Sequence, residues 1–265
     1  MVKIIIGTHD NKDDQLAQAV ISAQDGDVIE LLPGTYFSRE SPFICTIRKN
    51  ISIIGKTDNR QNITLNCSFM IGAKTTVIFK NLTINYPAND ENTLSAYDDA
   101  KVYGNNILID HLALDSWDTV YGKNAAYSFK NSKILTGVKT KAVGILLDNS
   151  RLFADTTSIQ LLFQKNSQAF LRDSTVSHEL KLRQNSSLNF RNLTIAPSTN
   201  PIKNNLVVKS SSLFMGENLR FTAVNPHVRI YQARFNVKKF YPSLDKIHFK
   251  FDSTSKIFLN GKKKN

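Results

Sequence analysis

Residues Thr76 to Ile84 read Thr-Val-Ile-Phe-Lys-Asn-Leu-Thr-Ile, and the pattern in this stretch returns along the chain. Two apolar residues separated by one spacer are followed, after another spacer, by a small polar residue, usually Asn or Asp, and then by a short apolar strand. The apolar anchors with their polar partners are Phe79 with Asn81, Ile109 with His111, Phe129 with Asn131, Leu147 with Asn149, Leu171 with Asp173 and Phe190 with Asn192.

The spacing of these anchors indicates a solenoid. Successive anchors are 30, 20, 18, 24 and 19 residues apart, and a period of roughly 20 residues with variable insertions is typical of coils that cover one another's apolar faces. Pairs such as Val77/Phe79 and Leu188/Phe190 alternate with period two, which indicates strands and not helices. We therefore predict an all-β fold, a right-handed parallel β-helix.

An uninterrupted repeat predicts one elongated domain over residues 1–265, although 265 residues could form two domains on length alone. Within it, we expect an N-terminal strand and capping helix in residues 1–25, coils in 26–221 and a basic C-terminal cap in 222–265. The helix is predicted from Asp10 to Ala23, because Leu16 and Val20 lie on one helical face.

The net charge of +12 is unevenly distributed. Residues 225–265 hold ten Lys or Arg against two Asp or Glu, which leaves +8 there and +4 in the rest of the chain. A basic end could bind anionic polysaccharide, nucleic acid or lipid headgroups, or could be a solvated cap with a frayed tail. The absence of an aromatic- and glycine-rich RNA-binding signature makes nucleic acid the poorest of these partners.

The sequence gives partial indications of compartment and redox state. No apolar run reaches membrane-spanning length, and the start, Met-Val-Lys-Ile-Ile-Ile-Gly, is too short for a signal peptide. We thus expect a soluble protein that is cytoplasmic, or exported if a leader is missing; the oligomeric state stays open. Cys45 and Cys67 lie 22 residues apart, about one coil, and could form a disulfide or two buried thiols, the reading we favour.

The N-terminal third resembles a known superfamily. A helix, then Gly-Asp-Val-Ile-Glu-Leu-Leu-Pro-Gly-Thr-Tyr at 26–36, then Asn-Ile-Ser-Ile-Ile-Gly at 50–55 are similar to the opening of the pectin lyase-like superfamily. The resemblance covers about 45 residues closely and the remainder through the repeat. It implies the right-handed β-helix fold but no particular function, since lyases, hydrolases, esterases, phage tailspikes and adhesins share that fold.

Candidate site residues are concentrated around the widest insertion, residues 85–106, and the segment that follows it. The chain's only Trp lies there among its densest carboxylates. Aromatic faces can stack on sugar rings while carboxylates bind hydroxyl groups, so the segment predicts carbohydrate binding; a solvated acidic loop around a rim aromatic is the alternative. The predicted substrate-binding residues are Tyr97, Asp98, Asp99, Asp115, Trp117 and Tyr121.

One stretch in this region resembles the pectin methylesterases. Residues 117–121, Trp-Asp-Thr-Val-Tyr, align with the family pattern Gln-Asp-Thr-Leu-Tyr, which implies that Asp118 stands at the acid/base aspartate. Trp117 replaces the Gln of that pattern. The family's next motif contains the nucleophilic Asp, whereas residues 137–144 of this chain contain no carboxylate. The resemblance is therefore catalytically incomplete.

A lyase would need several acids around a divalent cation and a basic residue to remove a proton. Asp98, Asp99, Asp115 and Asp118 could supply oxygen ligands for Ca²⁺, and Arg151 and Arg172 are the candidate bases, with Arg151 preferred. No cofactor is expected outside this alternative. A hydrolase is less well supported, because paired aspartates on successive coils are missing.

The polar residues after the anchors have a structural explanation. Asn tolerates a left-handed backbone in turns, and its amide can bond to the neighbouring coil, so we interpret them, His111 included, as a ladder. The other histidines show no ligand spacing, which argues against a metal site built on His.

From these observations we predict a β-helix whose lateral groove, near Asp98 to Tyr121, binds an oligo- or polysaccharide without cleaving it. Two alternatives remain at this point. One is a lyase or esterase acting on acidic glycans, and the other is a structural or adhesive protein of a cell surface or phage.

Overall fold

The computed structural model describes residues 2–7, 11–112, 117–136, 143–197 and 205–264. They form a parallel β-solenoid of about 10 turns. One α-helix, α1 (Lys12–Ser22), and 3-10 turns at Arg60–Asn62 and Leu244–Lys246 accompany the strands. The strands are β1 (Lys3–Ile6), β2 (Val28–Leu31), β3 (Gly34–Tyr36), β4 (Phe43–Ile47), β5 (Ile51–Gly55), β6 (Ile63–Ile71), β7 (Thr76–Tyr86), β8 (Leu94–Tyr97), β9 (Lys101–His111), β10 (Val120–Lys123), β11 (Ala126–Lys130), β12 (Lys133–Ile134), β13 (Ile145–Asp148), β14 (Arg151–Asp155), β15 (Ser158–Lys165), β16 (Gln168–Arg183), β17 (Ser187–Ala196), β18 (Leu206–Lys209), β19 (Leu213–Phe221), β20 (His227–Tyr231), β21 (Arg234–Tyr241), β22 (His248–Phe251), β23 (Lys256–Leu259) and β24 (Lys262–Lys263).

The strands stack in register into three faces, and several long strands bend from one face to the next. Face A contains β1, β2, β5, 77–80, 101–105, β11, β14, 168–172, 187–191, 213–216, 234–237 and β23. Face B contains β3, 63–66, 82–86, 107–111, β12, 158–160, 174–177, 193–196, 218–221 and 239–241. Face C contains β4, 67–71, β8, β10, β13, 162–165, 180–183, β18, β20 and β22.

The alternation that predicted strands also fills the interior. Phe79, Gly104 and Phe129 are register partners on three successive coils, and the two rings are fully buried. A side chain at Gly104 would place its Cβ 2.7 Å from the ring of Phe129, so only glycine fits between them. Each buried Phe contributes about 1.5–3 kcal/mol, and the core runs the length of the solenoid as one cluster.

The polar residues after the anchors form two ladders and not one. Asn81, Asn106 and Asn131 turn the chain from face A to face B with positive φ, and the Asn106 amide donates to Asn81 Oδ1 at 3.0 Å. Asn149 belongs to a second ladder, between faces C and A. The placement of His111 in the ladder was wrong: its side chain is fully buried at the end of β9, and Asn106 takes the turn position on that coil.

Parallel stacking continues beyond residue 221, where the sequence predicted a cap. β18 pairs with β20 and β20 with β22 on face C, while 213–216 pairs with β21 and β21 with β23 on face A. The coils therefore extend to Leu259. Register partners in this segment are 21 or 22 residues apart, so the stacking stays regular although the sequence pattern of the earlier coils is lost.

Helix α1 lies within the predicted range, and it buries Leu16, Ala19 and Val20 close to β1, β3 and β4. Cys45 and Cys67 are free and buried, and burial raises the pKa of the Cys45 thiol to about 12. In the described part of the chain, no helix combines the length and apolar character needed to cross a membrane.

Candidate functional site

Two tyrosines lie side by side on the outside of face C. Strands β8 and β10 pair in parallel with Leu94 opposite Val120, and both of these residues point into the core. Alternation then turns Tyr97 and Tyr121 outward, where their ring centroids are 5.9 Å apart at an interplanar angle of 62°. This edge-to-face pair forms a small aromatic surface that spans two adjacent coils.

Asp118 lies just before β10, at the edge between faces B and C. Its backbone N–H donates to Asn92 Oδ1 at 2.7 Å, and its carboxylate Oδ1 accepts from the Val143 N–H at 2.8 Å. Burial raises the pKa of Asp118 to about 6, against the lowering effect of the Val143 hydrogen bond. The group is thus an acid that titrates near neutral pH and ties three coils together.

Among the described residues, those that contact Asp118 from the adjoining coils are Asn92 and Val143, neither of which is a carboxylate. Among the residues that the structure describes, the Thr119 N–H donates to the Val143 carbonyl, which places Val143 opposite Asp118 on the next coil. Asn92 occupies the preceding coil. A mechanism with one carboxylate as acid/base and another as nucleophile lacks its nucleophile at both described positions. Residues 137–142 of the predicted motif lie outside the described residues.

Trp117 stands next to Asp118 and remains 39% exposed. Its indole Nε1–H donates to the Asn89 carbonyl at 3.0 Å, which joins the loop before β10 to the loop after β7. The indole therefore lies at the edge between faces B and C, just before the strand that carries Tyr121.

The other predicted site residues lie elsewhere. Asp98 and Asp99 follow β8 at the opposite edge of face C, with φ of 47° and 65°, and a four-residue strand of about 13 Å separates that edge from Asp118. Arg151 begins β14 on face A. Asp115 lies outside the described residues. The structure thus brings Tyr97 together with Tyr121 on face C and leaves Trp117 with Asp118 at the edge before β10, while Tyr97 ends β8 and Asp98 and Asp99 follow it at the other edge.

This separation also bears on the predicted Ca²⁺ ligands. Asp98 and Asp99 cannot reach an ion at Asp118, because they lie at the far edge of the face. Over the described ranges, no group of three or more His, Cys, Asp or Glu side chains is arranged to hold a metal. Asp98, Asp99 and Asp118 therefore lie at two different edges of face C, and Arg151 begins a strand of face A.

Sequence reasoning missed a line of cations on the same face. The outward positions of the later coils are register partners, such as Phe163 with Lys181, Lys165 with Arg183 and Arg229 with Lys250. We call the basic residues at these positions the basic stripe: Lys123, Lys165, Lys181, Arg183, Lys209, Arg229 and Lys250. The signal was present as Lys or Arg next to buried residues in most of these short strands.

Two carboxylates and two aromatic rings accompany the basic stripe. Asp148 pairs with Lys165 at 3.3 Å, and Glu179 with Lys181 at 2.9 Å. Arg183 lies over the Phe163 ring with its guanidinium carbon 5.4 Å from the centroid, and Lys209 Nζ lies 5.1 Å from the centroid of the Tyr231 ring. Seven cations against two carboxylates leave the surface strongly positive, and the aromatic neighbours hold the cations in place.

Comparison with known proteins gives a likeness of fold alone. No protein-family model and no curated protein sequence matches the chain. Pectate lyase Pel9A superposes with a TM-score of 0.53 at 10% identity, covering 96% of this chain and 78% of that one. The chain shares that β-helix fold. A pectin methylesterase from Aspergillus niger (TM-score 0.44, 11% identity, 97% and 83% covered) and the PL6 family alginate lyase AlyGC (0.40, 11%, 98% and 39%) match more loosely. These are right-handed β-helix proteins, as the sequence resemblance predicted.

Proposed function

We propose that this chain binds an acidic polysaccharide along the outside of face C and does not cleave it. The observation that carries the proposal is the alignment of the Tyr97–Tyr121 pair and the basic stripe on one face, in register from coil to coil. In this proposal, the loops that the Trp117 indole joins at the edge of face C serve as the wall of the binding groove.

The spacing of the stripe suits a polymer. Successive coils of a parallel solenoid lie about 4.8 Å apart, so cations on β10 and on the five face C strands from β15 to β22 present positive charge along the face and not at one point. A chain of sugars that carries a carboxylate on each unit can make one contact per coil. The tyrosine rings and Trp117 add apolar surface against which the C–H faces of a sugar can pack.

The chemistry around Asp118 supports binding over turnover. Its carboxyl, with a pKa of about 6, could move a proton, yet Asn92 and Val143 occupy the adjoining coils, where a nucleophile or second acid would be needed. Pectate lyase Pel9A is named for an acidic polysaccharide and for a lyase activity. For this chain we propose the same kind of ligand, an acidic polysaccharide, but not the lyase activity. We also propose that helix α1 caps the first coil.

The test is a binding assay with a built-in reporter. Trp117 is the only Trp of the chain and borders the groove, so its fluorescence reports on occupancy of face C. We expect a polygalacturonate oligomer to change this fluorescence saturably and its methyl-esterified form, which lacks the charges, to bind at least about tenfold more weakly.

Tyr121→Ala should raise the Kd for the charged oligomer about 5- to 10-fold, because it removes one ring of the aromatic pair. Tyr241→Ala is the control, since that ring is 58% exposed on face B. Equal losses in both variants would argue against the groove. The protein would be an enzyme if it released reducing ends, methanol or unsaturated products that absorb ultraviolet light. Any of these products would contradict the proposal that the chain binds without cleaving.

A further inference from the structure

A second set of polar groups follows the edge where the chain turns from face C to face A. The Asn124 amide donates to Asp98 Oδ1 at 3.1 Å, and the Asn149 amide donates to Asn124 Oδ1 at 2.7 Å. All three residues have positive φ, so their side chains occupy equivalent turn positions on successive coils. We call this line, together with the adjoining first residues of the face A strands, the C–A edge.

The C–A edge contains a cleft of about 390 Å³ that is lined by residues between Asp99 and Gln168. Alanines form part of its wall and leave room between the coils. Its polar lining offers amides, two cations and one carboxylate: Asp99, Lys101, Asn149, Arg151, Asn166 and Gln168. Two residues singled out from the sequence, Asp99 and Arg151, therefore meet here and not in the groove on face C.

An equivalent cleft of about 400 Å³ lies further along the same edge. Its polar lining consists of Ser211, Ser212, Gln232, Arg234, Thr254 and Lys256. Arg234 and Lys256 stand at the same strand position as Lys101 and Arg151, because register partners connect them coil by coil. The solenoid thus repeats one arrangement, hydroxyl and amide groups beside two cations, at two places on one line.

A half-exposed apolar stripe borders this line on face A. Tyr103, Phe153, Phe170, Met215 and Phe258 each lie two residues after the first position of their strand and are 37–44% exposed. The Phe153 and Phe170 rings are parallel within 8° at a centroid distance of 5.6 Å. Exposed rings in register next to polar clefts are unusual for a solvated sheet face.

We propose that the C–A edge is a second binding surface for an acidic polysaccharide, separate from the groove on face C. Amide and hydroxyl groups match a ligand rich in hydroxyls, and four cations along one line match carboxylates along a polymer. A second copy of this chain is disfavoured as the occupant, since its own cationic line would be repelled. One molecule would then bind two polysaccharide strands at once and bridge them.

The test counts bound oligomers by isothermal titration of the full-length protein with a defined polygalacturonate oligomer. The edge variant Arg151→Gln/Arg234→Gln removes one cation from each cleft, and the matched stripe variant Lys181→Gln/Lys209→Gln removes two cations from face C. All four side chains point outward, and thermal melts followed by circular dichroism confirm that each variant is folded. We expect two equivalents for the wild type and one for each variant.

The outcomes separate the two surfaces. Loss of one equivalent in the edge variant supports the second surface even if the stripe variant binds normally, in which case the groove on face C is the part that fails. A single equivalent in the wild type that the edge variant keeps unchanged would overturn the inference. So would binding of the C–A edge to vesicles of anionic phospholipid with no binding of the oligomer, because the surface would then serve a membrane.

Discussion

Asp118→Asn should make the protein more stable at neutral pH, which is an uncommon result for a residue in a candidate site. Burial raises the pKa of Asp118 from its ordinary 3.8 to about 6. The folded protein therefore holds this proton to a higher pH than the unfolded chain does, and at pH 7 folding requires a charged carboxylate to be largely buried. Asparagine keeps the shape of the side chain and an oxygen that can accept from the Val143 N–H.

The size of the effect on the free energy of unfolding follows from the raised pKa. A pKa that is higher by roughly two corresponds to about 3 kcal/mol. We expect about 1–2 kcal/mol to be measurable, because solvent still reaches part of the side chain. The sign is set by the raised folded-state pKa. The unfolded chain loses this proton near pH 3.8, whereas the folded protein holds it up to about pH 6. The stability of the wild type relative to the variant therefore falls as pH rises through this window.

Urea unfolding followed by circular dichroism at about pH 4.5, 5.5 and 7 measures the effect as a free energy of unfolding. The variant and the wild type should be close at the lowest pH, and the variant should lead by about 1–2 kcal/mol at neutral pH. Asp99→Asn, the same substitution at an exposed turn residue, is the control. It should not show this gain in the free energy of unfolding at neutral pH. A variant that is less stable than the wild type at neutral pH would refute the reasoning.

Three other predictions concern the solenoid itself. Phe79→Ala should lower the free energy of unfolding by about 3–5 kcal/mol, since the ring is fully buried. Phe170→Ala, at a half-exposed ring, should lower it by less than about 1.5 kcal/mol. Urea titrations check both variants, and equal losses would contradict the assignment of inward and outward positions. Asn149→Val should destabilise the fold by about 1–3 kcal/mol more than Asn149→Gly, because the backbone there has a φ of 49° that glycine adopts freely; thermal melts that rank the two variants the other way would count against the ladder. Cys45 and Cys67 should react with a thiol reagent only after urea is added, since burial raises both thiol pKa values; fast labelling of the native protein would show that the first coils are open.

The fold was predictable because its signal is local. Apolar alternation in Thr76–Ile84 fixes which side chains point inward, and Asn at the turns marks the coil boundaries. His111 was misplaced because a polar residue after Ile109 resembles the pattern, while β9 in fact turns earlier, at Asn106. Local patterns cannot distinguish these two cases, since only stacking on Asn81 and Asn131 decides which residue takes the turn.

The site was only partly predictable, because closeness in sequence does not mean closeness in space in a solenoid. Tyr97 and Tyr121 are one coil apart and therefore meet. Asp98 directly follows Tyr97, yet it belongs to the next edge, so its closeness in sequence to the other acids is misleading. Neighbours within one coil diverge to different faces, whereas residues one full coil apart converge.

The basic stripe escaped the sequence because the coil length varies. Partners across face C are 17 residues apart between Leu146 and Phe163 but 26 apart between Lys181 and Val207. No fixed period aligns such positions, and the outward register can be assigned only when each turn length is known. The charge imbalance in the sequence drew attention to the C-terminal residues instead.

The most direct test of the central claim is a titration of polygalacturonate oligomer followed by the fluorescence of Trp117, comparing two variants with the same change of charge. Lys181→Gln/Lys209→Gln removes two cations from the basic stripe, and Lys262→Gln/Lys263→Gln removes two from the C-terminal strand β24. The account predicts at least about a tenfold rise in Kd for the first variant and less than about a twofold rise for the second. Equal weakening of both variants, or no fluorescence response in the wild type, would contradict the claim that face C binds an acidic polysaccharide.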